Sequence, residues 1–267
     1  MVASDVYEQL MSAATGMFRP QEKARETPSA SFVGTALPLT DAGVKAACDL
    51  IGVGPEELWT ILSVETIGCG FLADYRPTIL FERHVFHRRT GGKFDSTHPG
   101  ISNAMAGGYG RTGEYQYMRL NEAVVLDRKA ALESASWGIG QVMGFNSTLA
   151  GCADAETLVA QAMRSEDDQL MHMARFIVSQ HLDSPLKNHD WATFAKGYNG
   201  AGYVKNKYDI RLRQRYTAWA TGPLPDLGVR AMQVRLIRAG YDPGPIDGMM
   251  GRRTRAALEE YPAAAKA

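Results

Sequence analysis

The stretch Ile61-Leu-Ser-Val-Glu-Thr-Ile-Gly-Cys-Gly-Phe71 decides how the rest of the sequence is interpreted. Its one carboxylate, Glu65, ends an apolar run and precedes two glycines. The residues from Pro55 onward predict a helix, because proline suits a first turn. Glu65 shares a helical face with Leu58 and Leu62, and this face should point to the core. A carboxylate there is costly unless it is paired or works as an acid, so a structural and a catalytic interpretation both stay open.

Composition limits the function classes. The 267 residues fit one large domain or two smaller ones, and the formal net charge is zero. No overall basic field therefore favours a nucleic-acid partner or an anionic membrane. No apolar run approaches the roughly 18 residues of a membrane span, and the N-terminus does not read as a secretory signal. Three widely spaced cysteines without a CxxC pair fit a reducing compartment and disfavour a disulfide scaffold or a structural zinc site.

The N-terminal segment and the start of the compact domain differ in composition. We predict that residues 1–36 form a tail, with one short helix around residues 6–11 and a proline-containing, Ser/Ala-rich tether after it. The compact domain then begins near Leu37. Thr40 or Asp41 can cap its first helix.

A second candidate carboxylate follows the Glu65 stretch. The run Arg76-Pro-Thr-Ile-Leu-Phe-Glu-Arg-His-Val-Phe86 is rich in β-branched and aromatic residues and predicts a strand or small hairpin. This would bring Glu82 near the end of the Glu65 helix. Glu82 is either half of a solvated ion pair with Arg83 or one of two carboxylates that meet across a cleft. Asp74 is the alternative second carboxylate.

Two histidines and a long loop complete this region. His84 and His87 are metal-ligand types, but no HExxH arrangement accompanies them, so we expect no metal and no other cofactor. The Gly-rich segment from Thr90 to Thr112 is too long for a simple connector. We predict that it forms a flexible wall of a cleft.

The middle of the chain returns to helical spacing and then breaks it. One helical face runs from Tyr117 to Ala131. In the following segment, 135–146, three glycines would each cost a helix about 1 kcal/mol relative to alanine. They predict either close backbone approach or ligand access, and the alternative is a glycine-interrupted buried helix. Ser136 and Gln141 add polar groups to this apolar run.

Helical patterns fill most of the remaining domain. Residues 154–182 predict a pair of amphipathic helices, and Asp190 is a suitable N-cap for the next one. Asn199 and the glycine after it predict the end of that helix. Tyr198 and Asn199 supply polar atoms where its apolar face stops.

These motifs, taken in order, carry a resemblance. Arg76-Pro-Thr-Ile-Leu-Phe-Glu-Arg-His84, Ser136-Trp-Gly-Ile-Gly-Gln-Val-Met-Gly-Phe-Asn146 and Tyr198-Asn-Gly200 resemble the N-acetylmuramidase domain of modular bacteriophage endolysins, in the lysozyme-like superfamily. The resemblance covers residues 37–220. It implies cleavage of the MurNAc–GlcNAc bond of peptidoglycan, with Glu65 as the general acid. It also implies that the sugar cleft is lined by four residues: Ser136, Gln141, Tyr198 and Asn199.

The C-terminal residues carry a second resemblance. Residues 221–226 have the composition of a linker. Residues 227–267 resemble a small three-helix peptidoglycan-binding domain through the run Gly240-Tyr-Asp-Pro-Gly-Pro-Ile-Asp-Gly248 and the threonine that follows it. The resemblance implies a wall-binding groove formed by four residues: Tyr241, Asp242, Asp247 and Thr254. About 40 residues have a marginal core alone, so we expect this unit to dock onto the catalytic domain.

Both resemblances point to one insoluble substrate. We predict a mainly α protein, with an α+β lysozyme-like catalytic domain, a small β-hairpin region and a helical C-terminal domain. The family implies a monomeric endolysin that is made in the host cytoplasm, is released with a separate holin and acts on the cell wall in the periplasm. A lytic transglycosylase that leaves 1,6-anhydro ends and a non-catalytic wall-binding virion protein are the alternatives.

Overall fold

The computed structural model describes residues 32–66 and 69–262. The short helix and the tether predicted within residues 1–31, and Gly68 after the Glu65 helix, lie outside the described residues. The first elements in chain order are α1 (Asp41–Ile51), α2 (Pro55–Glu65), β1 (Ile79–Phe81), α3 (Arg83–Thr90), α4 (Glu114–Leu126), α5 (Arg128–Glu133), β2 (Ala135–Trp137) and β3 (Val142–Met143). The remaining helices are α6 (Ala155–Ala162), α7 (Glu166–Ser179), α8 (Asp183–Lys187), α9 (Trp191–Asn199), α10 (Tyr208–Thr221), α11 (Leu227–Arg238) and α12 (Arg252–Glu260).

The architecture is mainly helical with one small sheet, as predicted. The sheet is antiparallel in the order β1-β2-β3, and its register pairs Ile79 with Trp137 and Phe81 with Ala135. All residues of β1 and β2 are buried, so the sheet lies inside the helical core. Within the described part of the chain, no helix is long and apolar enough to cross a membrane.

Helix α2 begins and ends where its sequence predicts. Pro55 occupies the first turn, and the Glu57 carboxylate accepts a hydrogen bond of 3.0 Å from the backbone N–H of Gly54. Its apolar face is buried, and its other end packs against α10, where the Trp219 indole donates to Ser63 Oγ at 3.0 Å. Glu65 is the last residue of this anchored helix.

The predicted caps of other helices are confirmed. Thr40 accepts a hydrogen bond from the N–H of Gly43 at the start of α1. The Asp190 side chain accepts a hydrogen bond from the N–H of Thr193 at the start of α9. Gly200, with a φ of 81°, ends that helix. Side-chain oxygens at these positions satisfy N–H groups that have no partner inside the helix.

The boundary predicted between residues 36 and 37 lies too late in the sequence. Phe32 is buried, and its ring lies 5.7 Å from that of Tyr117 and 5.6 Å from that of Trp137. Phe32 and Ala36 therefore belong to the core of the domain and not to a tail. The short apolar run around Phe32 was too brief to produce a helical or strand pattern of its own.

The strand or local hairpin predicted over residues 76–86 is wrong for its second half. The strand stops at Phe81, and the carbonyl of Glu82 accepts hydrogen bonds from Val85 (3.0 Å) and Phe86 (3.1 Å) that start α3. The pairing partner of β1 is β2, more than 50 residues later in the sequence. β-branched and aromatic residues favour a strand only where a neighbouring strand is present to pair with. Here the pairing of β1 with β2 ends at Phe81.

The helical face predicted from Tyr117 to Ala131 spans two helices. Asp127 has extended backbone (φ −160°) and caps α5 by accepting from the N–H of Ala130. The glycine-interrupted helix considered for residues 135–146 is also wrong, because this segment forms the β2–β3 hairpin and a 3₁₀ turn. Close backbone approach explains Gly144: a methyl group there would lie 2.0 Å from the carbonyl oxygen of Leu132.

The C-terminal unit is helical, as predicted, and the described residues contain two of its helices, α11 and α12. Asp226 caps α11 by accepting from Val229 N–H. The unit docks onto the rest of the chain: Arg230 is buried against Glu166, and Arg238 donates to the Ala36 carbonyl at 3.2 Å.

Candidate active site

Glu65 lies at the end of α2, against the start of α10. Its Oε1 accepts a hydrogen bond from the Tyr208 hydroxyl, and the guanidinium of Arg211, one turn later, donates to the Val64 carbonyl at 3.1 Å. Tyr208 is fully buried, whereas Glu65 keeps partial access to solvent. The carboxyl group is therefore held in position against α10, in a residue that is half-buried as a whole.

Burial raises the pKa of Glu65 from 4.5 to about 7. The hydrogen bond from Tyr208 and the positive charge of Arg211 act in the opposite direction and are outweighed. The difference corresponds to roughly 3 kcal/mol against the ionised form, at 1.36 kcal/mol per pKa unit. Glu65 is thus partly protonated at neutral pH, as a general acid must be.

Tyr198 links this carboxyl to the hairpin turn between β2 and β3. Its hydroxyl donates to the Gly140 carbonyl at 2.8 Å. Burial, and then the nearby charge of Glu65, raise the pKa of Tyr198 well above its usual value. The structure therefore brings Glu65, Tyr198 and Tyr208 into one cluster, formed by the ends of α2, α9 and α10.

Ser136 and Gln141 meet within the hairpin. Ser136 Oγ donates to Gln141 Oε1 at 2.8 Å, and Gln141 Nε2 donates to the Gly138 carbonyl, also at 2.8 Å. Gln141 has a φ of 48°, which this set of hydrogen bonds stabilises. Both side chains therefore shape the turn whose Gly140 carbonyl receives Tyr198.

Asn199 is the one predicted cleft residue with an unused polar atom. Its side-chain oxygen Oδ1 is buried and has no hydrogen-bond partner among the described residues. An unsatisfied buried amide oxygen is costly, by about 1–3 kcal/mol. Its position directly after Tyr198 makes it a candidate acceptor for a sugar hydroxyl or amide.

Glu82 has surroundings of its own. Strand β1 starts after Thr78, and the Thr78 N–H donates to the Gly70 carbonyl at 2.8 Å. Glu82 lies four residues beyond Thr78, and four residues of extended strand span about 13 Å. Its side chain is buried, with the Tyr109 hydroxyl 3.3 Å from Oε1 and His84 Nδ1 3.0 Å from Oε2. A solvated pair with Arg83 is therefore wrong, because the carboxylate is 1% exposed and Arg83 binds the Met105 carbonyl instead.

The other candidates from this region have separate partners. Asp74 is paired with Arg76, and His87 Nδ1 lies 2.7 Å from Asp95, which also accepts from Ser102. These contacts tie the loop after α3 to the helix. No group of three or more His, Cys, Asp or Glu residues is arranged to hold a metal ion in residues 32–66 or 69–262.

The predicted wall-binding residues lie in the turn between α11 and α12 and at the start of α12. Thr254 is buried, and its hydroxyl donates to the Pro243 carbonyl at 2.9 Å. Asp247 accepts from Gln233 (3.0 Å) and from the N–H of Met249 (2.9 Å). These two side chains hold the turn together.

Tyr241 and Asp242 are the more accessible members of this group. Asp242 is exposed and paired with Arg253, and the ring of Tyr241 packs edge-to-face against that of Tyr261 at 5.5 Å.

Three residues that shape the site were not predicted: Tyr208, Arg211 and Glu166. Tyr208 and Leu212 are spaced as neighbours on one helix face, and both are fully buried. This pattern could have indicated a core helix, but nothing in it indicates that the tyrosine hydroxyl meets Glu65. The sequence indicates even less about Glu166, because it is one of several acidic residues that are favourable at any helix N-terminus.

Comparison with known proteins finds matches over both units of the chain. Residues 54–220 match the family model of N-acetylmuramidases, and residues 226–264 match that of a putative peptidoglycan binding domain. The chain is similar to the crystal structure of Burkholderia AP3 phage endolysin, with 33% sequence identity and a TM-score of 0.63, over 73% of each chain. None of the curated proteins matches the chain.

Proposed function

Because the chain belongs to the N-acetylmuramidase family, we propose that it cleaves the β-1,4 bond between MurNAc and GlcNAc in bacterial peptidoglycan, with Glu65 as the general acid. The protein is a peptidoglycan hydrolase. The observation that carries the finer proposal is the Glu65 carboxyl, whose pKa burial raises to about 7 although the residue as a whole is only half-buried.

The proposed chemistry follows from the charge that develops on the sugar. Cleavage passes through an oxocarbenium-like transition state and needs a proton on the leaving oxygen. The protonated Glu65 donates it. The Tyr208 hydroxyl, which already donates to Oε1, stabilises the carboxylate that remains. Ser136 and Gln141 shape the adjacent turn, while Tyr198 and Asn199 border the space in which the sugar binds.

The role of Glu82 distinguishes two reactions. As the second carboxylate it would support hydrolysis, with Asp74 as the alternative. Its burial between Tyr109 and His84 favours a second candidate function, a lytic transglycosylase. In that reaction the substrate's own 6-hydroxyl attacks the anomeric carbon, and Glu65 acts first as an acid and then as a base.

The C-terminal unit is proposed to keep the enzyme on its substrate. Wall contact would fall to Tyr241 and Asp242, because Asp247 and Thr254 are occupied within the turn. Tethering raises the local concentration of the catalytic domain at an insoluble surface. In this proposal the protein is a monomeric phage endolysin that a holin releases from the host cytoplasm to the periplasmic wall.

Mass spectrometry of digested sacculi tests the reaction. We expect muropeptides with reducing MurNAc ends, and none of these from the Glu65→Gln variant. Anhydro-MurNAc ends would establish the transglycosylase instead. Reducing GlcNAc ends would reject the proposed bond, and sacculi that bind the protein but are never cleared would support the non-catalytic alternative.

A further inference from the structure

A fully buried ion pair joins the two units of the chain. The Arg230 guanidinium, on α11, donates to both carboxylate oxygens of Glu166, the first residue of α7, at 2.5 and 2.7 Å. Each side chain is 1% exposed. Such a bidentate pair is geometrically specific, and removing one partner leaves the other charge buried without compensation.

Glu166 also holds the backbone at Gly70. Its Oε1 accepts from the N–H of Gly70 at 2.7 Å, and its Oε2 accepts from the N–H of Leu39 at 2.9 Å. One carboxylate therefore connects the C-terminal unit, the segment before α1 and the backbone at Gly70. Gly70 lies five residues after the catalytic carboxylate.

The backbone at Gly70 is fixed on its other side as well. The Gly70 carbonyl accepts from Thr78 N–H (2.8 Å) and from Gln169 Nε2 (3.3 Å). A methyl group on Gly70 would lie 1.9 Å from Gln169 Oε1, so any larger residue here would displace this side chain. The position of Gly70 thus depends on Glu166 and Gln169, two side chains on one face of α7.

A second arginine of α11 faces the same region. The Arg238 guanidinium lies 4.2 Å from the centre of the Tyr75 ring and donates to the Ala36 carbonyl. Tyr75 belongs to the chain reversal between Phe71 and Pro77 that continues from Gly70. Arg230 and Arg238 are eight residues apart, on one face of the helix.

We propose that Arg230 is a positioning residue for the catalytic acid, acting through Glu166 on the backbone at Gly70. The C-terminal unit is then part of the catalytic structure as well as a wall anchor. This inference rests on the proposed role of Glu65. Without Arg230, the Glu166 carboxylate is unpaired in the interior, where it must protonate or move, and the Gly70 N–H loses a charged acceptor. The backbone at Gly70 then relaxes and more water reaches the Glu65 carboxyl.

Turnover by the full-length chain tests the proposal. The variants are Arg230→Met, Arg230→Lys and, as the matched control, Arg235→Met, which changes an exposed arginine of the same helix. The substrate is a soluble GlcNAc–MurNAc tetrasaccharide, which reports on catalysis without wall anchoring. We expect kcat to fall at least tenfold in Arg230→Met with a smaller change in KM. Arg230→Lys should be intermediate, because lysine keeps the charge but not the bidentate geometry.

Direct titration of Glu65 by ¹³C NMR separates this proposal from the identity of the bond. In Arg230→Met we expect the midpoint to move to lower pH, because water now solvates the carboxylate, and Arg235→Met should match the wild type. The basic limb of the pH–rate profile should move in the same direction. An unchanged midpoint together with unchanged kcat would overturn the positioning role, whereas a wrong bond would appear only in the muropeptide products.

A double-mutant cycle tests the route through Glu166. If Arg230 acts through this carboxylate, then Arg230→Met should lower kcat less than twofold in a Glu166→Gln background. Independent, multiplying losses would reject that route. Circular dichroism at the assay temperature measures the folded fraction of every variant, and rates are expressed per folded molecule.

Discussion

Two glutamates, Glu65 and Glu166, show how one residue type serves opposite purposes in one fold. Burial raises the pKa of Glu65 to about 7. Burial also acts to raise the pKa of Glu166, but the charge and hydrogen bonds of Arg230 and two backbone N–H groups outweigh it, and this pKa is lowered. The difference lies in the partners, since desolvation disfavours both carboxylates.

The places of these residues in their helices reinforce the difference. Glu65 is the last residue of α2, where the helix dipole is negative and disfavours an anion. Glu166 is the first residue of α7, where the dipole is positive and favours one. A carboxylate at a C-terminal end with a phenol as its partner can hold a proton at neutral pH. A carboxylate at an N-terminal end with a guanidinium partner stays charged and serves as structure.

Replacing Glu65 by Gln should have the largest effect on activity. General acid catalysis contributes about 10²–10⁴-fold, so turnover of sacculi should fall by about 10³-fold, equivalent to ~4 kcal/mol of transition-state free energy. The release of soluble muropeptides measures it. Glu122→Gln, at an exposed carboxylate of α4, is the control and should retain wild-type turnover. Substantial turnover by Glu65→Gln would remove Glu65 from the chemistry.

Replacing Glu65 and replacing Glu166 by glutamine should change the stability of the fold in opposite directions. Ionising Glu65 in the folded state is unfavourable, so its penalty is absent below pH 4.5, grows between pH 4.5 and 7 and is complete above pH 7. Glu65→Gln should therefore raise the free energy of unfolding at pH 8 by up to roughly 3 kcal/mol, from a pKa difference worth 1.36 kcal/mol per unit.

Glu166→Gln should instead lower the free energy of unfolding by about 3–5 kcal/mol, because Arg230 loses its buried partner. The stabilisation from Glu166 is present above its unfolded pKa of about 4.5 and is lost as pH falls through its lower folded pKa. Urea unfolding at pH 5 and pH 8 measures both effects. Equal effects of the two substitutions at pH 8 would contradict the contrast between the two carboxylates.

Local patterns predicted the elements that depend on neighbouring residues. The start of α2 at Pro55, the cap at Asp190 and the helix end at Gly200 follow from side chains within a few positions of each terminus. Glu65 could be singled out for the same reason, because a carboxylate on an apolar helix face stands out within one turn.

Long-range contacts could not be predicted in this way. Strand β1 pairs with residues more than 50 positions away, so the end of the strand at Phe81 depends on β2 and not on its own residues. The Tyr208 hydroxyl lies 143 positions from Glu65 in sequence, and Arg230 lies 64 from Glu166. Each of these pairs joins separate parts of the fold, and a tyrosine or arginine on a helix has many possible partners.

The smallest expected effect comes from the phenol that distinguishes Glu65 from Glu166. Tyr208→Phe removes the hydrogen bond that favours ionised Glu65, so the pKa of Glu65 should rise further and the basic limb of the pH–rate profile should move to higher pH. Maximal turnover should fall by no more than about tenfold, because a hydrogen bond to a charged group contributes roughly 1.5 kcal/mol.

Tyr216→Phe provides the matched control for this substitution. Tyr216 lies on α10 as well and contacts Glu57, at the opposite end of α2 from Glu65. Loss of the Tyr216 hydroxyl should leave the pH–rate profile unchanged. A basic limb that moves to lower pH in Tyr208→Phe would mean that the hydroxyl chiefly keeps water away from Glu65, because the ring is retained in this variant. In that case exclusion of water by the hydroxyl, and not its hydrogen bond to the carboxylate, would keep this carboxyl different from that of Glu166.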